Sequence, residues 1–138
     1  MKRIVFLLAF FMMMASCTPS LTEQVETRFP SGQAKQVKML DKSGNCVEEI
    51  EYYESGQVKM QGRLAGGLRE GEWKAYFLDG RTQSIDNFKQ GKLDGVTQVY
   101  WDNGNLRWEG CYKDEQRCGK WRFYNEQGHL LKETDYGE

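Results

Sequence analysis

Proline, histidine and long apolar stretches are all scarce in this chain. Its 138 residues include two prolines and a single histidine, and an unbroken apolar run covers only residues 4–14. A helix that spans a bilayer needs about 20 apolar residues, so this run is too short. Basic residues do not dominate, since 19 Lys and Arg stand against 20 Asp and Glu. Without a concentrated basic surface, no nucleic-acid partner is predicted.

The residue patterns of common catalytic and metal sites are also missing. The four cysteines include no C-x₂-C pair, and the lone histidine, His129, directly follows a turn glycine, so we predict no metal site. No Gly-x-Ser-x-Gly motif is present either. Carboxylates cluster at residues 48–51, but a carboxylate pair needs an enclosing cleft to shift a pKa. We therefore predict no catalytic residue, no cofactor and no enzyme activity.

The first residues have the layout of an export signal. A positive start at residues 1–3 precedes the apolar run, and small side chains then lead to Cys17. The segment from Met14 to Cys17 resembles the bacterial lipobox, although Met14 stands where leucine is usual. The resemblance implies that residues 1–16 are a signal helix that is removed and that Cys17 is lipidated. An ordinary secretory signal with a cysteine nearby is the alternative.

Glycines and aromatic residues recur at a constant interval of 24 residues, as from Gly32 to Gly56. Two glycine columns and two aromatic columns keep this interval, which predicts a tandem array of 24-residue repeats. The columns are Gly32, Gly56, Gly80, Gly104 and Gly128; Gly71, Gly95 and Gly119; Tyr52, Tyr76, Tyr100 and Tyr124; and Phe29, Tyr53, Phe77 and Trp101.

Each unit has the pattern of two strands and two turns. Apolar and polar side chains alternate along residues 58–64 and again along residues 72–77, as in an antiparallel sheet with one apolar face. Asp79-Gly80 and Asn103-Gly104 are dipeptides that favour tight hairpins. We predict an all-β fold with about nine or ten strands in an open, twisted antiparallel sheet or ribbon of hairpins. In residues 34–40 the apolar positions fall out of phase with the later units.

The repeat unit resembles the MORN repeat in its bacterial variant. A tyrosine, two glycines, and then Gly-x-Trp-x-x-Tyr follow one another from Tyr52 to Tyr76, and the pattern returns from Tyr100 to Tyr124. The resemblance covers residues 28–138 and implies a single-layer antiparallel sheet made of hairpins. Residues 17–27 are then the lipidated cysteine and a tether. The family brings no catalytic motif, and some bacterial members are labelled antitoxin components of toxin–antitoxin modules.

Two cysteines occupy columns that face each other across a hairpin. Cys111 and Cys118 are seven residues apart at an inner turn, and the same columns hold Arg63 with Glu70 and Asn87 with Asp94. Directly opposed strand residues have Cα atoms about 4.5–5.5 Å apart, which a disulfide accepts, and export favours oxidation. We predict a Cys111–Cys118 disulfide, with two unbonded thiols as the alternative. Cys46 shares the column of Cys118, has Met39 in its partner column, and is predicted to be free.

Two sets of aromatic residues lie on opposite faces of the predicted sheet. Trp73, Phe77, Trp108 and Trp121 share the apolar face and are predicted to form the core, because cross-strand aromatic pairs stabilise sheets. The tyrosines point the other way, among polar side chains. An exposed tyrosine row beside charged residues is typical of a contact surface. The predicted binding surface comprises Tyr76, Tyr100, Tyr124, Lys74 and Arg122.

The function expected from these patterns is binding rather than catalysis. We predict a membrane-anchored binding or scaffold lipoprotein of the bacterial cell envelope, on the periplasmic side or at the cell surface, with the lipid on Cys17 as its membrane contact. Extended repeat surfaces suit a protein or polymer partner, and open sheet edges make an edge-to-edge homo-oligomer possible. One alternative is an immunity-type protein that neutralises a partner toxin. Another is a carbohydrate or peptidoglycan binder that uses the aromatic stripe.

Overall fold

The repeat units fold as successive antiparallel strands of one open sheet. The computed structural model describes residues 20–137, so the predicted signal helix of residues 1–16 and the predicted lipidation site Cys17 lie outside the described residues. The sheet has 11 strands in chain order, and the two-residue β7 pairs only with β6. The strands are β1 (Thr22–Arg28), β2 (Ala34–Leu40), β3 (Cys46–Tyr52), β4 (Val58–Ala65), β5 (Leu68–Tyr76), β6 (Thr82–Lys89), β7 (Lys92–Leu93), β8 (Gly95–Tyr100), β9 (Leu106–Lys113), β10 (Gln116–Tyr124) and β11 (Leu130–Asp135). The predicted all-β single-layer sheet is confirmed.

The predicted tether of residues 17–27 is wrong from Thr22 onward, because β1 belongs to the sheet. Its sequence is polar and lacks an apolar alternation, so no strand is predicted there from the sequence. The pairing with β2 runs from Thr22 opposite Leu40 to Arg28 opposite Ala34. The strand lies one full repeat before β3, so the array begins in phase one strand earlier than predicted.

The outer and inner turns have different geometries. Asp79-Gly80 forms a turn as predicted, but Gly80 alone has a positive φ, and Gly80 N donates to Phe77 O while Phe77 N donates to Arg81 O. This is a three-residue loop that ends in a glycine bulge, not the tightest hairpin. The tight two-residue turns are the inner ones, in which both residues have positive φ. They are Gly66-Gly67, Gln90-Gly91 and Asp114-Glu115.

Successive inner turns are joined by hydrogen bonds. The Glu70 carboxylate accepts a bond of 2.8 Å from the backbone N of Gln90, and one repeat later Asp94 accepts one of 3.3 Å from the backbone N of Asp114. A backbone hydrogen bond joins the same two turns, since Gly91 N donates to Arg69 O. An acidic residue at the column of Glu70 and Asp94 therefore ties the Gly66-Gly67 turn to the Gln90-Gly91 turn, and that turn to the Asp114-Glu115 turn.

The register separates two faces across most of the sheet. Gln61 lies opposite Lys74, and the next pair, Gly62 and Trp73, points to the other side. We call the first side the tyrosine face; it carries Gln61, Lys74, Tyr76, Ile85, Gln98, Tyr100, Glu109, Arg122 and Tyr124. We call the second the tryptophan face; it carries Met60, Gly62, Trp73, Asp86, Thr97, Trp108, Gly110, Trp121 and Phe123.

The core of the tryptophan face consists of two equivalent tryptophan–glycine pairs. Trp73 and Trp121 are only 2% and 1% exposed, which confirms that they are core residues. Trp73 lies over Gly62, and a Cβ added to that glycine would overlap the indole ring; Trp121 covers Gly110 in the same way. The ring nitrogens are satisfied too, since Trp73 Nε1 donates to Arg63 O at 3.0 Å. Only glycine leaves room for an indole ring flat against the opposite strand.

The first strands bury the opposite face. Val37, in β2, is 1% exposed. Val37 is paired with Ile50, and Ile50 is paired with Gln61, so Val37 lies on the tyrosine face. Lys38 is on the other side, where it pairs with Glu26 at 3.2 Å. The out-of-phase pattern predicted for residues 34–40 is therefore confirmed, and the buried side changes between β3 and β5.

The part of the chain that the structure describes is built from strands and turns. Among these residues, none belongs to a helix with the length and apolar character needed to span a bilayer.

Candidate binding surface

All five predicted surface residues lie on the tyrosine face. Tyr76, Tyr100 and Tyr124 each end a strand just before an outer turn. Lys74 and Arg122 precede two of these tyrosines by two residues, so alternation places them on the same side. A row of directly opposed residues, the central row, crosses this face: Val25, Val37, Ile50, Gln61, Lys74, Ile85, Gln98, Glu109, Arg122 and Glu133.

The tyrosines are half-buried, so the prediction of an exposed tyrosine row is wrong. Their hydroxyls bond to long polar side chains of the central row, which cover part of each ring. Tyr76 accepts a hydrogen bond of 3.3 Å from Gln61 Nε2, and Tyr124 donates one of 3.2 Å to Glu109 Oε1. The tyrosines thus belong to a side-chain network and stay partly exposed.

Charged side chains on this face form ion pairs near the C-terminal end of the sheet. Arg122 Nε donates to Glu133 Oε2 at 2.9 Å and Arg122 Nη1 lies 3.5 Å from Glu109 Oε1. The bond to Glu133 raises the pKa of Arg122, and the bond from Arg122 lowers the pKa of Glu133. Burial, followed by the bond to Glu109, raises the pKa of Tyr124. These groups therefore hold fixed protonation states near neutral pH.

The middle of the face carries a second ion pair. Lys74 Nζ lies 2.8 Å from Glu72 Oε1, and this hydrogen bond raises the pKa of Lys74. Positive and negative groups thus alternate along the face, with amides and tyrosines between them. Mixed charge with aromatic rings is the composition of a protein-contact surface and gives orientation as well as affinity.

Sequence reasoning missed Tyr52 and the apolar members of the central row. Tyr52 belongs to the same column as the other tyrosines, and burial, followed by the nearby charges of Glu23 and Glu48, raises its pKa. Ile85 stands in the central row opposite Gln98, a neighbour of Tyr100. The signal that could have found them is an alternation of apolar and polar residues at one column, which falls on Val37, Gln61, Ile85 and Glu109.

Cys111 and Cys118 are directly opposed at the inner-turn end of the tyrosine face. Their Cα atoms are 5.3 Å apart and a disulfide joins the sulfur atoms. The disulfide forms part of the floor of an open depression of about 600 Å³, with Lys113 and Lys120 on its rim. Val96, opposite Cys111, is 55% exposed beside it.

The predicted register of Cys46 is wrong. Cys46 lies opposite Leu40 rather than Met39, because the first inner turn, residues 41–45, has the longer outer-turn geometry and shifts the pairing. Among the described cysteines, Cys46 is free. Within residues 20–137, no group of three His, Cys, Asp or Glu is placed to hold a metal ion.

The large indole rings of the tryptophan face are already covered. Arg69 stacks over Trp73 with its guanidinium carbon 4.1 Å from the ring centre, and Arg117 stacks over Trp121 at 4.4 Å. Trp108 stacks on Trp121 with centroids 5.3 Å apart. These rings pack against the protein itself, and Tyr136, which packs edge-on against Trp121, is 44% exposed beside them.

Comparison with known proteins agrees with the repeat spacing. A family model described as "MORN repeat variant" matches four segments, residues 46–63, 69–90, 93–114 and 117–137. No curated protein matches the chain.

Proposed function

We propose that this chain, which belongs to the MORN repeat variant family, is a non-enzymatic binding or scaffold lipoprotein whose tyrosine face contacts a protein partner. MORN repeats suggest a repeat-based binding or scaffold role. The observation that carries the finer proposal is the central row with its flanking tyrosines, since one face brings together half-buried aromatic rings, amides and alternating charges. The depressions on this face are open, so they suit side chains of a partner better than an enclosed substrate.

The proposed location is a membrane of the bacterial cell envelope, with a lipid on Cys17 as the anchor. Support comes from the sequence: the positive start, the apolar run of residues 4–14 and the small residues before Cys17. More than one acyl chain at Cys17 makes anchoring stable, since each buried methylene adds about 0.8 kcal/mol. Cys17→Ser is expected to abolish incorporation of a labelled fatty acid and to move the protein into the soluble fraction. Unchanged labelling would remove the anchor from the proposal.

The partner is tested by affinity capture from the envelope fraction of the organism that produces the chain. The bait is the lipidated protein, and Tyr76→Ala together with Tyr100→Ala is the test variant, with bound proteins identified by mass spectrometry. We expect the test variant to lose the partner while it remains folded at the temperature of the capture, which its unfolding curve checks. Capture that is equal for both proteins would show that the tyrosine face is not the contact surface.

A partner that proves to be a toxin bound in one tight stoichiometric complex would make the chain an immunity protein that uses the same surface. Purified cell wall serves as the comparison ligand. Binding to cell wall that survives changes on the tyrosine face would favour a carbohydrate-binding function instead.

A further inference from the structure

The tyrosines of the tyrosine face fall into two classes that alternate from one repeat to the next, so that each class recurs every second repeat. Tyr76 and Tyr124 are hydrogen-bonded to Gln61 and Glu109, which occupy one column two repeats apart. At the equivalent column beside Tyr52 and Tyr100 stand Val37 and Ile85, which are also two repeats apart and cannot form such bonds. Tyr100 donates instead to Gln98 Oε1 of its own strand at 3.1 Å.

The aromatic residues of the outer turns alternate with the same period. Tyr53 OH donates to Tyr76 O at 2.8 Å, and Trp101 Nε1 donates to Tyr124 O at 3.2 Å. At the turns that precede Tyr52 and Tyr100 the equivalent residues are Phe29 and Phe77, whose rings have no polar donor. The side-chain bridge between neighbouring turns is thus formed at every second repeat.

Two equivalent depressions lie where these side-chain bridges are replaced by apolar residues. The Tyr52 depression, of about 250 Å³, is lined by Glu23, Gln33, Ala34, Tyr52 and Gly56. The Tyr100 depression, of about 310 Å³, is lined by Arg81, Thr82, Ile85, Tyr100 and Gly104. Four positions of the first coincide with four of the second after a shift of two repeats. The coincidence ties both depressions to the two-repeat period of the sequence.

We propose that the Tyr52 and Tyr100 depressions are paired subsites that receive two bulky apolar side chains from one extended segment of a protein partner. The inference rests on the proposed function and specifies how the tyrosine face recognises its partner. Four strand spacings separate β3 from β8, or about 19 Å along the sheet. An extended chain covers this distance in about six residues, and residues six apart point to the same side. Because the sheet twists, the segment winds slightly around it as it crosses the strands.

The rims of the two depressions favour a peptide over a uniform polymer. Glu23 lies at the first depression and Arg81 at the second, so the two sites share a shape and differ in charge. Arg81 Nε and Nη2 bond to Asp79, which leaves Nη1 available for a partner carboxylate. A repeating polymer presents one chemical group to both sites. A peptide can carry a basic residue near Tyr52 and an acidic one near Tyr100.

The test uses synthetic extended peptides as probes against the full mature chain. Each peptide is rich in Ser and Thr, ends with a lysine on one side and a glutamate on the other, and carries two Phe residues two, four, six or eight positions apart. Binding is measured by fluorescence anisotropy. We expect the six-residue spacing to bind about tenfold more tightly than a peptide with one Phe, because the second contact becomes intramolecular. Affinity that rises with Phe content whatever the spacing would overturn the inference.

Variants of the two depressions show whether Tyr52 and Tyr100 cause the dependence of affinity on Phe spacing. Tyr52→Ala and Tyr100→Ala should each reduce the affinity of the six-spaced peptide about tenfold and leave the single-Phe peptide nearly unchanged. Leu130→Ala removes an exposed apolar side chain opposite Tyr124, outside both depressions, and serves as the control, with no expected change. A loss with only one tyrosine variant would mean one subsite rather than a pair.

A spectroscopic readout separates a binding effect from a folding effect. With 3-fluorotyrosine incorporated into the parent protein, the ¹⁹F resonances of Tyr52 and Tyr100 should shift on peptide addition, while those of Tyr76 and Tyr124 stay in place. Shifts confined to other tyrosines would reject the paired subsites. If the envelope partner is captured equally by the parent and by Tyr52→Ala, the paired subsites fail while the binding function stands. Capture of no partner at all, with peptide binding as expected, would instead fail the proposed function.

Discussion

At the scale of single residues, the molecule depends on a few glycines that have no room for a side chain. Gly62 and Gly110 differ from the turn glycines in the reason they are needed. A Cβ at either one would meet an indole ring, whereas a Cβ at Gly56 would meet open space and only the positive φ of 90° disfavours it. The steric requirement and the conformational requirement can therefore be compared within one protein.

Gly110→Ala should destabilise the fold more than Gly56→Ala. The added methyl forces Trp121 away from the strand, and we expect a loss of about 3 kcal/mol in the free energy of unfolding. Gly56→Ala should cost about 1 kcal/mol, since only the left-handed backbone conformation is affected. Urea unfolding followed by tryptophan fluorescence measures both. Equal losses would mean that Trp121 can move aside at little cost.

Much of the residue-scale organisation could be predicted from the sequence. The tyrosine column, the tryptophan core and the opposed cysteine columns follow from the constant repeat period and the alternation of strands. The half-burial of the tyrosines could not be predicted, because it depends on which long side chain lies across the strand, such as Glu109 beside Tyr124. Alternation tells the face of a residue but not its neighbours on that face.

At the scale of elements, the inner turns are stacked by one acidic column. Glu70 and Asp94 each bond to the backbone N of the next inner turn. Cys118 occupies the same column in the last hairpin and is joined to Cys111 instead. The acidic residues connect hairpins to one another, and the disulfide closes a single hairpin.

Glu70→Ala should loosen the contact between the hairpins on either side. Loss of the hydrogen bond that the backbone N of Gln90 donates to this partly exposed carboxylate is expected to lower the free energy of unfolding by about 1 kcal/mol. Glu72→Ala is the matched control, because it removes a nearby carboxylate whose only described ion pair is exposed and contributes little to stability. Thermal unfolding of both variants decides the matter. If Glu72→Ala has the larger effect, the turn contact is not stabilising.

Reduction of the disulfide should weaken the last hairpin without unfolding the array. The loop it closes is short, so we expect a loss of about 2 kcal/mol. The double variant Cys111→Ser, Cys118→Ser should match the reduced parent and should be insensitive to reductant. Melting temperatures with and without reductant measure both effects. A parent protein whose melting temperature ignores reductant would show that the bond adds no stability.

The element boundaries show where sequence patterns stop being informative. β1 has no recognisable strand pattern, because a terminal strand can be held by backbone pairing while most of its side chains stay polar. The turn types differ from prediction because Asp-Gly fits both a tight hairpin and a three-residue loop with a glycine bulge. In the inner turns, Asp114-Glu115 adopts positive φ at both positions with no glycine to indicate it.

At the scale of the whole molecule, each long strand pairs only with the long strands that precede and follow it in the chain. The sheet order follows the chain, and the side that is buried changes from the tyrosine face around Val37 to the tryptophan face around Trp73 and Trp121. The molecule therefore has one core on the tyrosine face in its first strands and another on the tryptophan face from β5 to β10. A single layer of this kind behaves as a one-dimensional array, in which stability is a sum over units and their interfaces.

Local destabilisation should therefore stay local. Gly110→Ala is expected to speed amide hydrogen exchange in β9, β10 and β11 much more than in β2 and β3, because several strands separate the core around Val37 from Trp121. Exchange measured by mass spectrometry on peptides from each strand gives the profile. Val37→Ala is the reciprocal variant, and it should expose β1 to β3 while the C-terminal strands keep their protection. Uniform acceleration across all strands in both variants would mean that the array unfolds as one cooperative unit, so that the two cores are coupled through the intervening hairpins.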